Sequence, residues 1–438
     1  MMSIRIYRYP SRAAENRLQK ISRRKLVYGR KDEVAVQRII QEVRLKGDEA
    51  VIAYVNRFDS PELSVDGLRV GEAEFRHAET MISESFRQSL DLAYVQIERF
   101  HRMQAPHSRM MTDRSGVLTG QIVHPVDVAG IYVPGGKGGK TPLVSSVLMG
   151  AIPACIAGVR RIVMTTPADR NGNIDPHLLV AASRAGVHDV FKAGSAWAIA
   201  AMAFGTERID RCDVIVGPGN TYVTLAKKIV SGMVGIDMIA GPSEILILAD
   251  SSARAEFAAA DLLSQAEHDR VASAILITTS QQLAAGVSDQ IEKQLTDLHR
   301  QDIAKESLAH YGAIFVVPDM GAAIVLANRI APEHLELLVE KPFDLLPDIR
   351  HAGAVFAGHY TPEPMGDYIA GPNHVLPTAG SARFSSALSV EHFIKKTSLI
   401  YYSKEAFVKE AEHVMRLAET EGLGAHARSV AIRLEEGS

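Results

Sequence analysis

The apolar positions of this chain follow two different patterns on either side of residue 128. Over residues 31–102 they recur at helical spacing, so that Val36, Ile40 and Val43 share one face. Beyond residue 128, short β-branched runs alternate with Gly/Pro turns and alanine-rich helical segments. Buried strands separated by helices are typical of parallel βαβ units. The pattern therefore predicts an α/β fold.

The predicted strands fall into two groups, which indicates two α/β lobes that divide near Ile131 and again near Gly241. The first group comprises residues 128–133, 161–165, 190–191 and 214–216, and the second comprises residues 245–249, 274–278 and 313–317. Helices are predicted over residues 253–268 and 280–298, and an amphipathic helical tail over residues 404–434. The polar, basic segment before about Lys25 is interpreted as an arm rather than a core element.

Composition and charge exclude several classes of protein. The net charge is 48 − 51 = −3, which gives no electrostatic reason to expect nucleic-acid binding. Only Cys155 and Cys212 occur, without a Cys-x-x-Cys motif, which argues against a disulfide scaffold and a thiolate zinc site and suits a reducing compartment. The uncharged stretch 141–159 contains Pro, Gly and Ser, which favours a buried helix followed by a turn over a membrane span. We therefore expect a cytoplasmic protein without membrane contact.

Two glycine-rich turns follow predicted strands and could bind a ligand. The loop Pro134–Thr141 fails the P-loop pattern because Pro134 stands where the first glycine is required, and it is either a ligand loop or a mobile connection. The segment 216–220 (VGPGN) is either a turn or a binding site with Asn220 at its rim. Ser243 in the similar segment AGPSE directly precedes a buried strand.

Two short segments combine side chains that are suited to chemistry. Gln265 and His268 are three positions apart at a helix end, where they could bind a metal or form an ordinary polar terminus. Glu333 and His334 follow Pro332, which we expect to begin a helix. They could be an acid/base pair, or Glu333 could simply complement the helix dipole.

Polar positions near the C-terminus add further candidates. The segment 360–389 is long, polar and rich in Gly and Pro, and loops of this length in a compact enzyme are usually functional or disordered. Its aromatic and apolar residues favour order, and Asp367 and His374 are its ionisable ligand candidates. Glu421 and His426 lie near a helix break in the tail. For all four, a solvated polar loop is the favoured interpretation from these residues alone.

Six segments, taken together, resemble the histidinol dehydrogenase family. They are VGPGN, AGPSE, LLSQAEHD, IAPEHLELL, GDYIAGPNHVLPT and EGLGAHARSV, and they occur in the order of that family. The resemblance extends from about Val34 nearly to the C-terminus. It implies a zinc- and NAD-dependent oxidoreductase of histidine biosynthesis that converts L-histidinol through the aldehyde to L-histidine.

The resemblance also implies roles for individual residues. The zinc ligands would be Gln265, His268, Asp367 and His426. Glu333 and His334 would be the catalytic acid/base pair, and Tyr132 and Asn220 would contact NAD. Ser243, His374 and Glu421 would contact the substrate together with His334 and the four zinc ligands.

The domain organisation that the resemblance implies is two incomplete Rossmann-like lobes with parallel sheets. Residues 29–131 and 245–388 would form the lobe that carries most zinc-binding and catalytic residues, and residues 132–244 the lobe associated with NAD. Residues 1–28 would be a small helical N-terminal arm. Residues 389–438 would be a helical segment that completes the partner's site in a homodimer.

Three segments depart from the usual family pattern and leave alternatives open. Trp197 stands where the family has a Gln that touches NAD, the loop Lys137–Thr141 is longer and more basic, and Ala387 replaces a more frequent Pro. Trp197 could stack on the cofactor or displace it. The alternative function is a paralogous zinc/NAD dehydrogenase for another small alcohol, such as a sulfonated propanediol. A catalytically silent binding protein is a third hypothesis.

Overall fold

Fourteen strands and sixteen α-helices are present in the residues that the computed structural model describes, namely 4–24, 29–135 and 141–435. The strands are β1 (Ile6–Arg8), β2 (Arg109–Met111), β3 (Val117–Pro125), β4 (Val128–Tyr132), β5 (Arg161–Thr166), β6 (Asp189–Lys192), β7 (Val214–Val216), β8 (Gly235–Ile236), β9 (Glu244–Ala249), β10 (Ser273–Thr278), β11 (Ala313–Val316), β12 (His334–Leu338), β13 (Ala354–Ala357) and β14 (Ile394–Tyr402). The helices are α1 (Arg12–Ser22), α2 (Arg30–Lys46), α3 (Asp48–Phe58), α4 (Glu72–Met81), α5 (Glu84–Arg102), α6 (Val144–Ala157), α7 (Pro176–Arg184), α8 (Ser195–Phe204), α9 (Thr221–Val230), α10 (Ala255–Ala266), α11 (Gln281–Gln294), α12 (Gln301–Tyr311), α13 (Met320–Ile330), α14 (Glu363–Tyr368), α15 (Lys404–Thr420) and α16 (Gly424–Glu435).

The chain divides into two compact units. The first comprises Met1–Gln104 and Asp127–Phe393, and the second comprises Ala105–Val126 and Ile394–Ser438. The first unit contains a six-stranded sheet with the order β1-β11-β10-β9-β12-β13 and a five-stranded sheet with the order β6-β5-β4-β7-β8. All strand pairs in these two sheets are parallel. The predicted α/β fold with two parallel sheets is confirmed.

Both sheets contain the strand order of a doubly wound arrangement, including its reversal point. In the six-stranded sheet the chain passes from β9 outward to β11 and then crosses to the other side of β9 to form β12. In the five-stranded sheet it passes from β4 outward to β6 and then crosses to form β7 on the other side of β4. The strand order therefore reverses between β9 and β12 and between β4 and β7. Such reversal points open a crevice at the carboxyl ends of the strands. The predicted strands of residues 128–317 all form, because their continuous apolar runs bury both faces.

The N-terminal segment is part of the core, and the expectation of an arm outside the core was wrong. Strand β1 pairs with β11, and the register places Tyr7 opposite Phe315. Helix α1 buries Ala14, Leu18 and Ile21 against the six-stranded sheet. These residues have the spacing i, i+4, i+7 that produces one apolar helix face, although charged residues surround them in the sequence.

The helices of residues 30–102 contact helices of the five-stranded sheet. Helix α2 contacts α8 and α9, α4 contacts α7, and α5 contacts α6. This differs from the expected grouping of residues 29–131 with residues 245–388, because apolar residues of α2 and α3 join the core around α8. Since both sheets belong to one compact unit, the lobe boundaries themselves stay a prediction.

Helix α6 is the buried helix expected over residues 141–159. It ends at Gly158, whose φ of 87° produces the predicted turn. Among the described residues, no helix has both the length and the apolar character that crossing a membrane requires.

The second unit combines a small antiparallel sheet with two helices. The sheet order is β14-β3-β2, and β14 pairs with β3 over its whole length. The predicted helical tail is present as α15 and α16. The nine-residue strand β14 precedes these helices and was not predicted.

Candidate active site and cofactor crevice

Glu333 and His334 lie at the amino end of β12, and the predicted helix start at Pro332 was wrong. Helix α13 ends at Ile330, and after three further residues the chain enters β12, which is buried between β9 and β13. His334 lies opposite Ile245 of β9 and Ala354 of β13. The pair is therefore held by a central strand of a sheet, which leaves its backbone little freedom.

The hydrogen bonds of His334 define which ring nitrogen is available. Its Nδ1 lies 2.9 Å from the backbone oxygen of Glu244 and 3.1 Å from Oε1 of Gln265. Because both partners are acceptors, Nδ1 carries the hydrogen and Nε2 has the free lone pair. Burial lowers the pKa of His334 to about 4, against the opposing charge of Asp367. The imidazole is therefore neutral near pH 7 and can accept a proton.

Glu333 is a buried carboxyl beside this imidazole. It is 7% exposed, and its Oε2 accepts a hydrogen bond of 2.9 Å from the backbone N–H of Glu244. The same oxygen lies 3.8 Å from Nδ1 of His334. Burial raises the pKa of Glu333 well above its ordinary value, and the neighbouring carboxylates raise it further. A carboxylate in this environment is a stronger base than one in water.

A cluster of acidic side chains faces His334 from α14. Ligand atoms of His334, Glu363 and Asp367 all lie within 4.8 Å of one another, and Nε2 of His334 is 3.9 Å from Oε1 of Glu363. Burial and the charge of Asp367 raise the pKa of Glu363 to about 8. Carboxylates that repel one another so strongly are stabilised by a cation. This arrangement fits a metal ion.

Sequence reasoning identified Asp367 but missed Glu363. The two residues are separated by four positions, so they project from one face of α14. That spacing was the available signal. The backbone N–H of Glu363 also donates to Oε1 of the buried Glu336, which fixes the start of α14 on β12.

Gln265, one of the expected zinc ligands, lies in the last turn of α10 and is 1% exposed. One end of its amide contacts His334, whereas its Nε2 is buried without a hydrogen-bond partner. To present Oε1 to a metal, the amide would have to turn away from His334, which would leave the carbonyl oxygen of Glu244 as the acceptor for Nδ1. His268 follows α10 on the surface, and it is not part of the cluster around His334.

Of the expected substrate contacts, His374 lies next to this cluster, and Ser243 directly precedes Glu244, whose backbone contacts His334. Nδ1 of His374 is 3.2 Å from the backbone oxygen of Asp367 and 3.8 Å from its Oδ1. Ser243 immediately precedes β9, and its backbone oxygen accepts from the N–H of Ser273. Glu421 and His426 belong to the second unit, where Glu421 caps α15, His426 lies in α16 and both are exposed.

The residues expected to contact NAD lie at the carboxyl ends of β4 and β7. Tyr132 ends β4, and Asn220 caps α9 by accepting from two backbone N–H groups with its Oδ1. Gly217 lies between them with a φ of 116°, and a Cβ there would be 2.1 Å from the carbonyl oxygen of Tyr132. This is the strand-order reversal of the five-stranded sheet, where dinucleotides bind in doubly wound folds. Residues 136–140 of the loop Pro134–Thr141 lie outside the described residues.

The comparisons with known proteins agree with this geometry. The family model described as histidinol dehydrogenase matches residues 23–434. The histidinol dehydrogenase of Desulfotalea psychrophila is 54% identical over 401 residues, which cover 92% of each chain. This chain belongs to the histidinol dehydrogenase family. The histidinol dehydrogenase of Carboxydothermus hydrogenoformans is 50% identical over 96% of this chain and 98% of its own.

A solved structure of the histidinol dehydrogenase family has the same fold. The crystal structure of histidinol dehydrogenase from Elizabethkingia anophelis superposes with a TM-score of 0.92 at 37% identity, and it covers 99% of this chain and 98% of its own. The predictions of a zinc- and NAD-dependent oxidoreductase of histidine biosynthesis and of a small-molecule substrate are confirmed at the level of the family. The alternative of a paralogue for another small alcohol gains no support.

Trp197, which departs from the histidinol dehydrogenase pattern, is buried in an aromatic stack. Its ring lies 5.6 Å from the ring of Tyr54 and 5.6 Å from that of Phe58, with interplanar angles of 11° and 19°. Its Nε1 is buried without a partner. Asp59 follows Phe58 in the chain, and its Oδ2 is also buried without a hydrogen-bond partner. Burial raises the pKa of Asp59 to about 6. Asp59 was not recognised from the sequence.

Proposed function

We propose that this chain oxidises L-histidinol through the aldehyde to L-histidine, using zinc and NAD. The observation that carries this proposal is the buried imidazole of His334, which lies within 4.8 Å of the carboxylates of Glu363 and Asp367. A base that keeps its lone pair at neutral pH beside a cation site is what oxidation of an amino alcohol requires.

The two cofactors would bind at the two places described above. Zinc would be held by Gln265, His268, Asp367 and His426, and NAD would lie against Tyr132 and Asn220. When bound, zinc would hold the nitrogen donors of the substrate, and NAD would accept a hydride in each of the two oxidations. The orphaned amide of Gln265 and the crowded carboxylates of the cluster fit the cation, and the carboxyl ends of β4 and β7 fit the dinucleotide.

His334 and Glu333 would move the protons. Nε2 of His334 would accept the proton of the alcohol in the first oxidation. Glu333 would activate the water that hydrates the aldehyde, and His334 would take a proton again in the second oxidation. His374 and Ser243 would contact the substrate, and so would Glu421 of the partner subunit.

We further propose a homodimer in which Glu421 and His426 complete the site of the partner subunit. Both residues are exposed in this chain, which leaves their side chains available to another subunit. We also propose a cytoplasmic location, which is supported by the presence of only two cysteines, neither of which forms a disulfide.

The direct test supplies zinc-loaded protein with L-histidinol and NAD and measures NADH and histidine together. Because an alcohol becomes a carboxylate through two hydride transfers and the uptake of one water, two NADH should form for each histidine. Absence of NADH from folded, zinc-bound protein would contradict the proposal. One NADH for each product, with accumulation of the aldehyde, would contradict the second oxidation.

A further inference from the structure

The backbone N–H and C=O groups of Glu244 hold both members of the proposed catalytic pair. Its N–H donates to Oε2 of Glu333 at 2.9 Å, and its carbonyl oxygen lies 2.9 Å from Nδ1 of His334. Glu244 is the first residue of β9, which is a central strand of the six-stranded sheet. A displacement of this one residue would therefore move the proton acceptor and the carboxylate together.

The side chain of Glu244 is fixed by Arg24 from the N-terminal segment. Nη2 of Arg24 lies 2.5 Å from Oε1 of Glu244, and the two side chains are only 3% and 13% exposed. Nη1 of Arg24 donates to the carbonyl oxygen of Val271 at 2.7 Å and lies 3.4 Å from that of Ser243. One guanidinium thus ties the start of β9 to the segment that leads into β10.

The Arg24–Glu244 pair acts from the face of the sheet opposite to Gln265. Arg24 follows α1, whose apolar residues pack on the same face as Leu246 and Leu335, whereas α10 packs on the other face with Ile245. Both charged residues line a cavity of about 640 Å³ together with Leu18 and Ile21, and neither Glu333 nor His334 lines it. The ion pair therefore acts on the catalytic pair through the backbone of Glu244, and the negative charge of the Glu244 carboxylate also raises the pKa of Glu333.

Net stability is a poor explanation for this ion pair. Moving two charges out of water costs about as much free energy as their attraction returns, and apolar replacements are often neutral or stabilising. A guanidinium with three acceptors instead specifies one geometry, which a lysine ammonium with its single nitrogen cannot reproduce. Positional accuracy matters at a catalytic pair, because a misplacement of about 1 Å can cost on the order of 100-fold in rate.

We propose that Arg24 and the side chain of Glu244 are positioning residues that hold Glu333 and His334 in their reactive arrangement. This inference rests on the proposed function, because it assumes that Glu333 and His334 perform the chemistry. It gives the N-terminal segment a role in the reaction, although the hydrogen bonds of Arg24 go to Ser243, Glu244 and Val271 and not to either catalytic side chain.

The test compares Arg24→Met with Arg24→Lys and with a matched control, Arg329→Met. Arg329 lines the same cavity and pairs with Glu15 of α1, so its replacement removes an ion pair to α1 without touching Glu244. For each variant kcat, KM for L-histidinol, zinc content and melting temperature are measured. We expect Arg24→Met to lower kcat by about 10- to 100-fold with KM and zinc content changed less than about twofold. Arg24→Lys should recover part of kcat, and Arg329→Met should leave it unchanged.

The double variant Arg24→Met/Glu244→Gln guards against misfolding, because it leaves neither charge buried alone. It should show the same loss of kcat. A folded double variant with the kcat of the wild type would overturn the inference, as would a loss of kcat that only follows the loss of zinc or of folded protein. His334→Asn in the same assay separates the two proposals. Wild-type protein that forms no NADH from L-histidinol would refute the proposed function, and unchanged turnover in His334→Asn would remove His334 from the mechanism. An inactive His334→Asn with a fully active Arg24→Met would refute only the positioning role.

Discussion

Nδ1 of His334 lies 2.9 Å from the backbone carbonyl oxygen of Glu244. A carbonyl can only accept, so this contact fixes the tautomer of the imidazole with its hydrogen on Nδ1. Nε2 is then the basic nitrogen, and it faces Glu363 at 3.9 Å. Burial, which lowers the pKa of His334 to about 4, keeps that nitrogen unprotonated at neutral pH. Local geometry and burial therefore prepare one atom for proton transfer.

Replacement of His334 by Asn should remove this base and leave the fold intact. Asn keeps a donor for the carbonyl oxygen of Glu244 but has no basic nitrogen, so turnover should fall by about 10²–10⁴-fold. Zinc content should stay at the wild-type level, because His334 is not among the proposed ligands. Steady-state kinetics and metal analysis of the same preparation check both statements. Loss of zinc from His334→Asn would instead make His334 a ligand together with Glu363 and Asp367.

The two carboxylates of α14 should respond differently to neutralisation. Asp367→Asn should lose most of its zinc, because Asp367 is the only anionic residue in the proposed ligand set. Glu363→Gln should retain zinc, because its side chain keeps a similar shape and none of the proposed ligands is changed. The two substitutions are a matched pair on one helix face, four positions apart. Equilibrium dialysis against zinc at fixed pH is the measurement, and equal loss of zinc in both would contradict the proposed ligand set.

The shared site of the proposed dimer can be tested by mixing two inactive variants. His268→Ala and His426→Ala should each lose zinc and activity. If His426 completes the partner's site, a heterodimer of the two variants contains one intact site and one site that lacks both ligands. After subunit exchange about one site in four should be intact, so activity should rise toward about a quarter of the wild-type value. No recovery despite demonstrated exchange would place both histidines in the same subunit's site.

Seven strands of the two parallel sheets could be predicted from the sequence, whereas β1, β8, β12 and β13 could not. Most strands are uninterrupted apolar runs, but β12 contains Glu336, which is fully buried and accepts from the backbone N–H of Glu363. A local pattern cannot reveal a partner 27 positions away, so Pro332 and the two following polar residues indicated a helix start. The segment before Arg24 was misjudged for the same reason, since only tertiary pairing with β11 stabilises its three-residue strand.

Those residues of the candidate site that stand in recognisable motifs could be predicted from the sequence, whereas residues that reach the site only through tertiary contacts could not. Gln265, His334 and Asp367 stand in segments that resemble the family, and the structure brings Gln265 and Asp367 to His334. Arg24 and Glu244 are 220 positions apart, and their pairing depends on β9 and α1 meeting in the folded protein. Sequence patterns report periodicity over one or two turns of helix or one strand, so a pair at this separation leaves no signal in them.

Asp59 should make the free energy of unfolding depend on pH, and the substitution Asp59→Asn should remove that dependence. Its Oδ2 is buried without a partner, and burial raises its pKa to about 6, above the value of about 3.9 in an unfolded chain. The folded state therefore binds more protons between pH 4 and pH 6, and the contribution of Asp59 to stability is present below pH 4 and lost as the pH rises through 6. At pH 7.5 the ionised carboxylate destabilises the folded state.

We expect Asp59→Asn to have the free energy of unfolding of the wild type near pH 4 and to exceed it by about 1–2 kcal/mol at pH 7.5. This figure is smaller than the full pKa shift implies, because the side chain is partly exposed. Urea unfolding at the two pH values is the measurement, with Asp289→Asn on the exposed face of α11 as the control that should show no such difference. An equal effect of Asp59→Asn at both pH values would mean that the carboxylate ionises in the folded protein as it does in water.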